Sequence, residues 1–191
     1  MDKKFPPEKL ARLNDPKRLA YLPPDLIWQT LSPGAEGIRT AIEIGAGTGF
    51  FASRFARKLA GGKVYACDIL DVMVEWMREN LPADLSDAVI PLRMEESSVP
   101  LPDGMADLVY MIELHHELEE PEKVIGEARR LLRAGGRLLI IDWKKEETPA
   151  GPPLPIRVDA AQIVSQVKKG GFSGVRNLKV LQYHNFILGE K

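Results

Sequence analysis

The chain has 191 residues, of which 45% are hydrophobic and 28% charged, and this composition suits one globular domain with a sizeable core. A formal net charge of −1, without a dense block of Lys or Arg, argues against a dedicated nucleic-acid surface. The first residues lack the apolar segment of a secretory signal, and no run approaches membrane-spanning length. The single cysteine, Cys67, excludes an internal disulfide and a cysteine-cluster metal site, and we expect no metal. We therefore expect a cytoplasmic domain of enzyme size.

Residues 1–34 are rich in proline and charge, and we expect them to form an N-terminal helical cap segment. Asp15-Pro16 and Pro23-Pro24-Asp25 are typical helix starts, because proline is favoured in the first turn of a helix. A short helix is predicted after the second start, and Ser32-Pro33-Gly34 is expected to end it. The remainder, residues 35–191, is predicted to be one ligand-binding domain.

The stretch from Thr40 to Phe51, T-A-I-E-I-G-A-G-T-G-F-F, predicts a strand, a glycine turn and a helix in succession. The apolar run at its start is typical of a strand that is buried on both faces of a parallel sheet. After the turn, Phe51, Phe55 and Leu59 recur at four-residue spacing, which predicts a helix packed back on the strand. This unit opens many nucleotide-binding α/β domains.

The spacing of the glycines indicates which ligand the turn binds. Counting from Gly45, the third and fifth positions are Gly47 and Gly49, and the sixth is Phe50. A dinucleotide fingerprint reads G-x-G-x-x-G, so this departure counts against NAD or FAD. Glycines here let the backbone approach a ligand closely, and the N–H groups of the next helical turn favour acidic ligand groups. A purely structural tight turn is the alternative interpretation.

Asp68 ends the predicted second strand, which begins at Lys63, and it lies 19 residues after Gly49. A doubly wound fold places the carboxylate that binds ribose hydroxyls at this point. Alternatively, Asp68 or Asp71 caps the helix predicted from Val72 to Asn80. Asp71 fits the cap position better, which leaves Asp68 for the ligand.

The predicted third strand, Ala88 to Met94, contains Pro91, a residue that sheets tolerate essentially only at edges or bulges. In the doubly wound order that begins 3-2-1-4 the third strand is an edge, so the proline supports that topology. Glu95 and Glu96 follow. One of them is placed to accept a hydrogen bond from an adenine amino group, or both are merely solvated.

The rest of the chain continues the alternation of strands and helices. A helix is predicted to open at Pro121 and to close at Gly135-Gly136, and Asp159-x-x-Gln162 has the form of a capping box for the next helix. The remaining strands are predicted at Asp107 to Glu113, Arg137 to Trp143, near Val175 to Leu181, and at Tyr183 to Gly189. The last two are joined too tightly for a parallel crossover, so we expect them to pair antiparallel.

Together, the motifs A-I-E-I-G-A-G-T-G-F-F, V-Y-A-C-D-I, V-P-L-P-D-G-M-A-D-L-V-Y, H-H-E-L and L-L-R-A-G-G-R-L-L-I-I-D-W resemble the class I S-adenosylmethionine-dependent methyltransferases. The resemblance covers almost the whole chain and is closest to the small-molecule branch that includes the ubiquinone/menaquinone-biosynthesis type. It implies an α/β, three-layer, Rossmann-like doubly wound fold. The implied sheet has seven strands in the order 3-2-1-4-5-7-6 with strand 7 antiparallel, and the implied cofactor is S-adenosyl-L-methionine.

The resemblance also implies roles for individual residues. It places Glu43, Gly45, Gly47 and Gly49 around the methionine part of the cofactor, Asp68 on the ribose, Ile69 against adenine and Glu95 near the adenine amino group. Ala46 and Glu113 complete the predicted cofactor-binding set. Many relatives have Asp-Ala where this chain has Glu95-Glu96, so the adenine assignment departs from the family pattern.

Methyl transfer from this cofactor is an in-line displacement, and a general base is needed only if the acceptor must lose a proton. His115 and His116 are candidates for that base because they follow the fourth strand, beside the expected crevice. The alternative is that both histidines only pack the loop.

Two segments are available to enclose an acceptor: the cap segment, with Tyr21 and Trp28, and the proline-rich loop from Lys144 to Arg157. We expect Tyr21, Trp28 and Lys144 to belong to a lid that excludes water from the site. The alternative is a surface linker together with a frayed terminus.

A small-molecule acceptor is favoured by the absence of motifs for other acceptors. Ile112-Glu113-Leu114 stands where the amide and adenine amino methyltransferases carry N/D-P-P-Y/F, and no Pro-Cys nucleophile is present for cytosine chemistry. We expect neither a nucleic-acid partner nor membrane insertion, and either a monomer or a homodimer. Aminopropyl transfer on the same fold and a non-catalytic cofactor-binding module are the alternative functions.

Overall fold

A seven-stranded sheet forms the centre of the computed structural model, which describes residues 10–31 and 37–191. Its order is β3-β2-β1-β4-β5-β7-β6. Strands β1 to β5 pair in parallel, and β7 runs antiparallel to both β5 and β6. The strands are β1 (Thr40–Ile44), β2 (Lys63–Asp68), β3 (Val89–Arg93), β4 (Ala106–Ile112), β5 (Leu132–Trp143), β6 (Ser173–Leu178) and β7 (His184–Glu190). The predicted strand order and the antiparallel seventh strand are confirmed.

Helices cover both faces of this sheet and complete the three predicted layers. They are α1 (Leu10–Leu13), α2 (Arg18–Tyr21), α3 (Pro24–Thr30), α4 (Phe50–Ala56), α5 (Asp71–Asn80), α6 (Pro121–Leu131) and α7 (Ala160–Lys169). One core contains residues of α3, α4 and α5, and the other contains residues of α6 and α7. No helix in the described ranges has the length and apolarity that a membrane span requires.

The N-terminal segment packs into the first of these cores. Leu22, Ile27 and Leu31 are buried there, beside residues of β1 and α4. The described part of the segment, residues 10–31, contains the three short helices α1, α2 and α3, and α3 begins at Pro24 as its proline predicts. The predicted helix end at Ser32-Pro33-Gly34 lies outside the described residues.

Pro91 lies on the edge strand β3, as its missing N–H requires. It is opposite Ala66 in the pairing with β2, and within residues 10–31 and 37–191 no further strand lies beyond β3.

The predicted end of α6 at Gly135-Gly136 is wrong, because the helix ends at Leu131 and β5 begins at once. The glycines instead lie in an irregular part of the β4–β5 pairing. Gly135 has a φ of 71°, and a side chain on Gly136 would lie 3.0 Å from the carbonyl oxygen of Ala106. Gly135 therefore supplies a left-handed conformation, and Gly136 lets β5 approach β4 closely; neither caps a helix.

Arg157 organises the loop between β5 and α7, although only 6% of the residue is exposed. Its guanidinium donates five hydrogen bonds, to the carbonyl oxygens of Lys144, Glu146, Ala150 and Pro152 and to the hydroxyl of Thr148. The same group lies 5.3 Å from the centre of the Trp143 ring. A single buried side chain thus replaces the backbone pairing that this proline-rich loop lacks.

Replacing Arg157 with Ala is expected to lower the free energy of unfolding by roughly 2–3 kcal/mol, because four backbone carbonyl groups and the Thr148 hydroxyl lose their donor. Urea unfolding of Arg157→Ala and of Arg78→Ala, an exposed arginine of α5, would measure this. The surface variant should stay within about 0.5 kcal/mol of the parent protein. Equal stabilities for the two variants would contradict the organising role of Arg157.

Candidate active site

Gly45, Gly47 and Gly49 form a turn between β1 and α4 that other residues would strain. Their φ angles are 73°, 54° and 72°, in the left-handed region. A side chain on Gly45 would also lie 2.6 Å from Leu114, and one on Gly47 would lie 3.0 Å from Leu13. The turn therefore needs glycine both for its conformation and for the close approach of neighbouring groups.

Asp68 links this turn to the start of α5. Its Oδ2 accepts a hydrogen bond from the Gly47 N–H at 2.7 Å, and its Oδ1 accepts one from the Leu70 N–H at 3.0 Å. The residue is only 7% exposed, and burial raises its pKa, outweighing the N–H groups that favour the ionised form. Each carboxylate oxygen can still accept another bond, so the ribose role stays a prediction.

The expectation that Asp71 caps α5 is wrong. Asp71 is the first residue of the helix, Leu70 holds the cap position, and no side chain bonds the helix start from there. The Asp71 carboxylate instead accepts a hydrogen bond from Arg93 Nε at 3.0 Å. The N–H of Leu70 is satisfied by Asp68, so a single carboxylate serves both the turn and the helix.

The ends of β2 and β3 bring the predicted adenine-binding residues to one edge of the sheet. The N–H of Met94 donates to the carbonyl oxygen of Asp68 at 3.0 Å, which places Glu95 directly after that contact. Glu95 is exposed and its backbone bridges to Ser98, whereas Ile69 is half-buried. The roles of Ile69 and Glu95 stay predictions.

Glu43 is almost fully buried on β1, with 2% of the residue exposed. The hydroxyl of Tyr110 donates to its Oε2 at 3.2 Å. Burial raises the pKa of Glu43 to about 8, although the Tyr110 hydroxyl and the charge of Arg18 oppose the shift. At neutral pH this carboxyl is therefore mostly protonated.

Glu113 lies directly after β4 in a strained conformation, with a φ of 58°. Among the described residues it is the only one other than glycine with a positive φ. Arg18 donates to its Oε2 at 2.7 Å, and His184 Nε2 lies 3.0 Å from its Oε1. Burial alone would raise the pKa of Glu113, but the His184 hydrogen bond and the charge of Arg18 outweigh it and lower the pKa. Strain of this kind is typical of functional positions.

Arg18 extends from α2 to the start of α4 and to Glu113. Besides Glu113 it bonds the carbonyl oxygen of Leu13, and its guanidinium lies 5.0 Å and 4.9 Å from the ring centres of Phe50 and Phe51. The sequence indicated that the cap segment would fold over the site, but it carried no signal for the partner of Arg18. No motif pointed to His184 at all.

His115 and His116 lie beside the crevice, but both are held by buried side chains. His115 Nε2 is 2.9 Å from the Gln166 Oε1, and burial lowers the pKa of this histidine. His116 Nδ1 is 2.8 Å from Asp142 Oδ1. Burial alone would lower the pKa of His116, but Asp142 outweighs it and raises the pKa. These contacts favour the packing alternative over a role as general base.

The contribution of the His116–Asp142 pair to stability should decrease as pH rises. Because folding raises the pKa of His116, its contribution is complete below the unfolded pKa of about 6.5 and is lost as pH rises through the folded pKa. A charged hydrogen bond of this kind contributes about 2 kcal/mol. Urea unfolding between pH 6 and pH 9 should show that the deficit of His116→Asn shrinks as pH rises.

His115→Asn is the control for this measurement. Folding lowers the pKa of His115, so its contribution is present above about pH 6.5 and is lost as pH falls. Between pH 6 and pH 9 the deficit of His115→Asn should therefore stay nearly constant, whereas that of His116→Asn shrinks. If the stability deficits of both variants stay constant with pH, the pairing of His116 with Asp142 does not affect stability in this way.

Two of the three predicted lid residues meet near the ends of β5 and β6. The Tyr21 ring lies 5.5 Å from that of Tyr183 and 6.5 Å from that of Trp143. Lys144 Nζ donates to the carbonyl oxygen of Gln182 at 2.6 Å, in the turn between β6 and β7. The structure does not bring Trp28 to this cluster, because its ring packs against Phe55 at 5.5 Å in the core.

Comparison with known proteins identifies the family. Residues 42–140, more than half of the chain, match the family model described as a methyltransferase domain. The chain belongs to the methyltransferase domain family. A solved S-adenosylmethionine-dependent methyltransferase from Aquifex aeolicus superimposes with a TM-score of 0.90 at 32% identity, covering 98% of this chain and 99% of that one. This chain therefore carries an S-adenosyl-L-methionine-dependent methyltransferase domain.

Curated relatives within the family are longer proteins. The ubiquinone/menaquinone biosynthesis C-methyltransferase of Bordetella avium is 27% identical over 131 residues, covering 66% of this chain and 50% of that protein. The protein of the same name from Salmonella arizonae is 29% identical over 139 residues, covering 70% of this chain and 54% of that protein. The chain thus spans about half the length of these relatives.

The site suits the cofactor of this family. The glycine turn lies at the carboxyl end of β1, and the space beside Gly45 and Gly47 is taken by Leu114 and Leu13. The buried carboxylate of Asp68 lies at the carboxyl end of β2, where a doubly wound fold binds ribose hydroxyls. The glycine turn and Asp68 are thus next to each other at the edge where the cofactor is predicted to bind.

Proposed function

We propose that this protein transfers a methyl group from S-adenosyl-L-methionine to a small-molecule acceptor by in-line displacement. The observation that carries the proposal is the contact between the glycine turn and Asp68, with Gly47 N and Asp68 Oδ2 2.7 Å apart. This contact joins the carboxyl ends of β1 and β2, the edge at which open α/β sheets bind ligands. Family membership supports the same reaction class.

In this proposal, different residues bind different parts of the cofactor. Gly45 and Gly47 admit the methionine part of the cofactor against the backbone, Asp68 holds the ribose, and Ile69 and Glu95 border the adenine. When bound, the cofactor supplies a methyl group that is already activated by the positive sulfonium. The protein then needs to align an acceptor lone pair with that group and to exclude water.

Like His115 and His116, Glu113 and His184 are held by other side chains, Glu113 by Arg18 and His184 by Glu113, so we assign none of the four as a general base. Glu113 is ionised and contacts His184, and it follows β4 at the edge where the acceptor is expected. Tyr21 and the loop from Lys144 to Arg157 lie on the same side and support the proposed lid. The curated relatives are named for C-methylation in ubiquinone and menaquinone biosynthesis, which supports a small-molecule acceptor here.

S-adenosylmethionine and S-adenosylhomocysteine should raise the melting temperature, because a ligand that binds the native state stabilises it by about 2.7 kcal/mol at 100 times its Kd. NAD and FAD should not, because the glycine spacing departs from the dinucleotide fingerprint. Differential scanning fluorimetry with the four compounds would test this. An acceptor screen that detects S-adenosylhomocysteine would then test transfer. Stabilisation by NAD alone would contradict the proposal.

A further inference from the structure

Arg18 has more hydrogen-bond donors than the described residues accept. A guanidinium carries five N–H donors. One of them bonds Glu113 Oε2 at 2.7 Å, and another bonds the carbonyl oxygen of Leu13. The other three, including the N–H of Nε, bond no residue within the ranges 10–31 and 37–191. Because 16% of the Arg18 side chain is exposed, a ligand can reach this group.

The N-terminal segment holds this guanidinium close to the glycine turn. The side chain of Leu13 packs beside Gly47, where an added side chain would lie 3.0 Å from it. The hydroxyl of Thr48 donates to Asn14 Oδ1 at 2.9 Å. These two contacts fix the residues before α2 against the turn between β1 and α4. Arg18, the first residue of α2, therefore borders the place predicted for the methionine part of the cofactor.

The strand order indicates which part of the cofactor comes closest to Arg18. In the order β3-β2-β1-β4, the ligand-binding crevice opens at the carboxyl ends of β1 and β4, where the connections change direction. Asp68 ends β2, whereas Glu113, the partner of Arg18, directly follows β4. Because the adenine is predicted on the β3 side of Asp68, the methionine part extends the other way, across β1 toward Glu113 and Arg18.

The outer end of that methionine part is an amino acid group, with a carboxylate and an ammonium. Arg18 and Glu113 present the two opposite charges 2.7 Å apart. A guanidinium binds a carboxylate through two parallel N–H groups, and Arg18 retains donors for such a contact. Each carboxylate oxygen of Glu113 can accept a further bond, which suits the ammonium. The ion pair is thus complementary to the amino acid group.

Arg54 is a second arginine near the turn, but it lies on the other side of α4. Its Nη1 donates to the carbonyl oxygen of Phe50 at 2.6 Å, and its guanidinium lies 3.6 Å from the centre of the Phe50 ring. It borders a cavity together with Trp76 and Asn80 of α5, whereas Arg18 contacts the end of β4. Arg54 therefore serves as a control of equal charge.

We propose that Arg18 binds the carboxylate of the methionine part of the cofactor and thereby selects S-adenosylmethionine over its decarboxylated form. The inference rests on the proposed function, because it needs the cofactor at the glycine turn. Removing that carboxylate leaves the chain that an aminopropyl transferase would transfer. Arg18 therefore favours the methyl donor over the aminopropyl donor, the alternative on the same fold.

Calorimetric titration with three ligands measures this selectivity. Decarboxylated S-adenosylmethionine lacks only the carboxylate, and methylthioadenosine lacks the whole amino acid group. The parent should bind S-adenosylmethionine about tenfold or more tightly than the decarboxylated form, as a charged hydrogen bond predicts. In Arg18→Gln this preference should shrink to within about threefold, because only the affinity for S-adenosylmethionine falls. Methylthioadenosine should bind Arg18→Gln as it binds the parent.

Three further variants separate recognition from support of the fold. Arg54→Gln removes an equal charge on the other side of α4 and should keep the preference of the parent within about threefold. Glu113→Gln breaks the ion pair but leaves the guanidinium, so it should also keep the preference. Arg18→Lys keeps the charge without the parallel donors and should show an intermediate preference. It provides the test if Arg18→Gln fails to fold.

The outcomes distinguish this inference from the proposed function. If Arg18→Gln keeps the preference of the parent, or loses affinity for methylthioadenosine to the same extent, Arg18 only supports the fold and the inference is overturned. An equal loss of preference in Arg54→Gln, or a parent without any preference, also overturns it. In all these cases S-adenosylmethionine still binds the parent and the proposed function stands. A parent that binds none of the three ligands overturns both.

Discussion

Glu43 is expected to make the free energy of unfolding of the parent fall by about 5 kcal/mol between pH 4.5 and pH 9, and replacing Glu43 with glutamine should remove this fall. Folding raises the pKa of this buried carboxyl from 4.5 to about 8. A shift of that size corresponds to about 5 kcal/mol, since one pKa unit is about 1.4 kcal/mol. Its contribution to stability is complete below pH 4.5 and is lost as pH rises through about 8.

Glutamine cannot ionise, so the variant should be less stable than the parent at pH 5 and more stable at pH 9. At low pH its amide N–H groups are buried without the partners they need, which costs about 1–3 kcal/mol. At high pH the parent bears a buried charge that Arg18 compensates only in part. Urea unfolding at intervals from pH 5 to pH 9 would show the two curves crossing.

Glu75→Gln, an exposed carboxyl of α5, is the matched control and should run parallel to the parent. A Glu43→Gln curve that also runs parallel would show that the carboxyl is not buried as the structure has it. The buried carboxyl of Glu43 therefore lowers the stability of the protein at neutral pH. The positive charges of S-adenosylmethionine, bound next to the glycine turn, would favour its ionised form and recover part of that stability.

Much of the fold was predictable because its signals are local, whereas the full seven-strand order followed from the family resemblance. An apolar run before the glycines defines a buried strand, Pro91 marks the sheet edge, and a short connection forces the last two strands to be antiparallel. Each of these depends on backbone chemistry within a few residues. Gly135-Gly136 was misjudged because glycine after a helix also permits two strands to approach, and the sequence does not separate these uses.

The side-chain partners of the site were not predictable in the same way. The strained Glu113 is held by Arg18, 95 residues away, and by His184, 71 residues away. The sequence predicted Asp71 as a helix cap, but in the structure its carboxylate accepts a hydrogen bond from Arg93 of β3. These pairings depend on which side chains the topology brings together, which is information that spacing within one segment does not contain.

Asp68→Asn is expected to weaken S-adenosylmethionine binding by about 100-fold. Hydrogen bonds from ribose hydroxyls to a carboxylate contribute roughly 1.5–3 kcal/mol each, and asparagine replaces one charged oxygen with a donor that faces the wrong way. About 2.7 kcal/mol corresponds to a 100-fold change in Kd. This loss of affinity should exceed the loss caused by replacing a carboxylate that only supports the helix.

The variant should fold, which allows affinity to be interpreted. Burial raises the pKa of Asp68, so the ionised carboxylate is held at a cost to folding that asparagine does not bear. The remaining side-chain oxygen can still accept the hydrogen bond from Leu70 or from Gly47, which are 3.0 Å and 2.7 Å from the carboxylate oxygens. The other N–H group loses its acceptor, at about 1–3 kcal/mol, and relief of the buried charge offsets this loss, so we expect a melting temperature close to that of the parent.

Calorimetric titration of Asp68→Asn beside Asp71→Asn would decide the assignment. Asp71 lies three residues further on and its exposed carboxylate bonds only Arg93 among the described residues, so its variant should bind the cofactor within about threefold of the parent. If both variants bind equally well, Asp68 is a structural residue that ties the glycine turn to α5. If only Asp68→Asn loses affinity while keeping its melting temperature, the burial of this carboxylate serves ligand binding at the expense of stability.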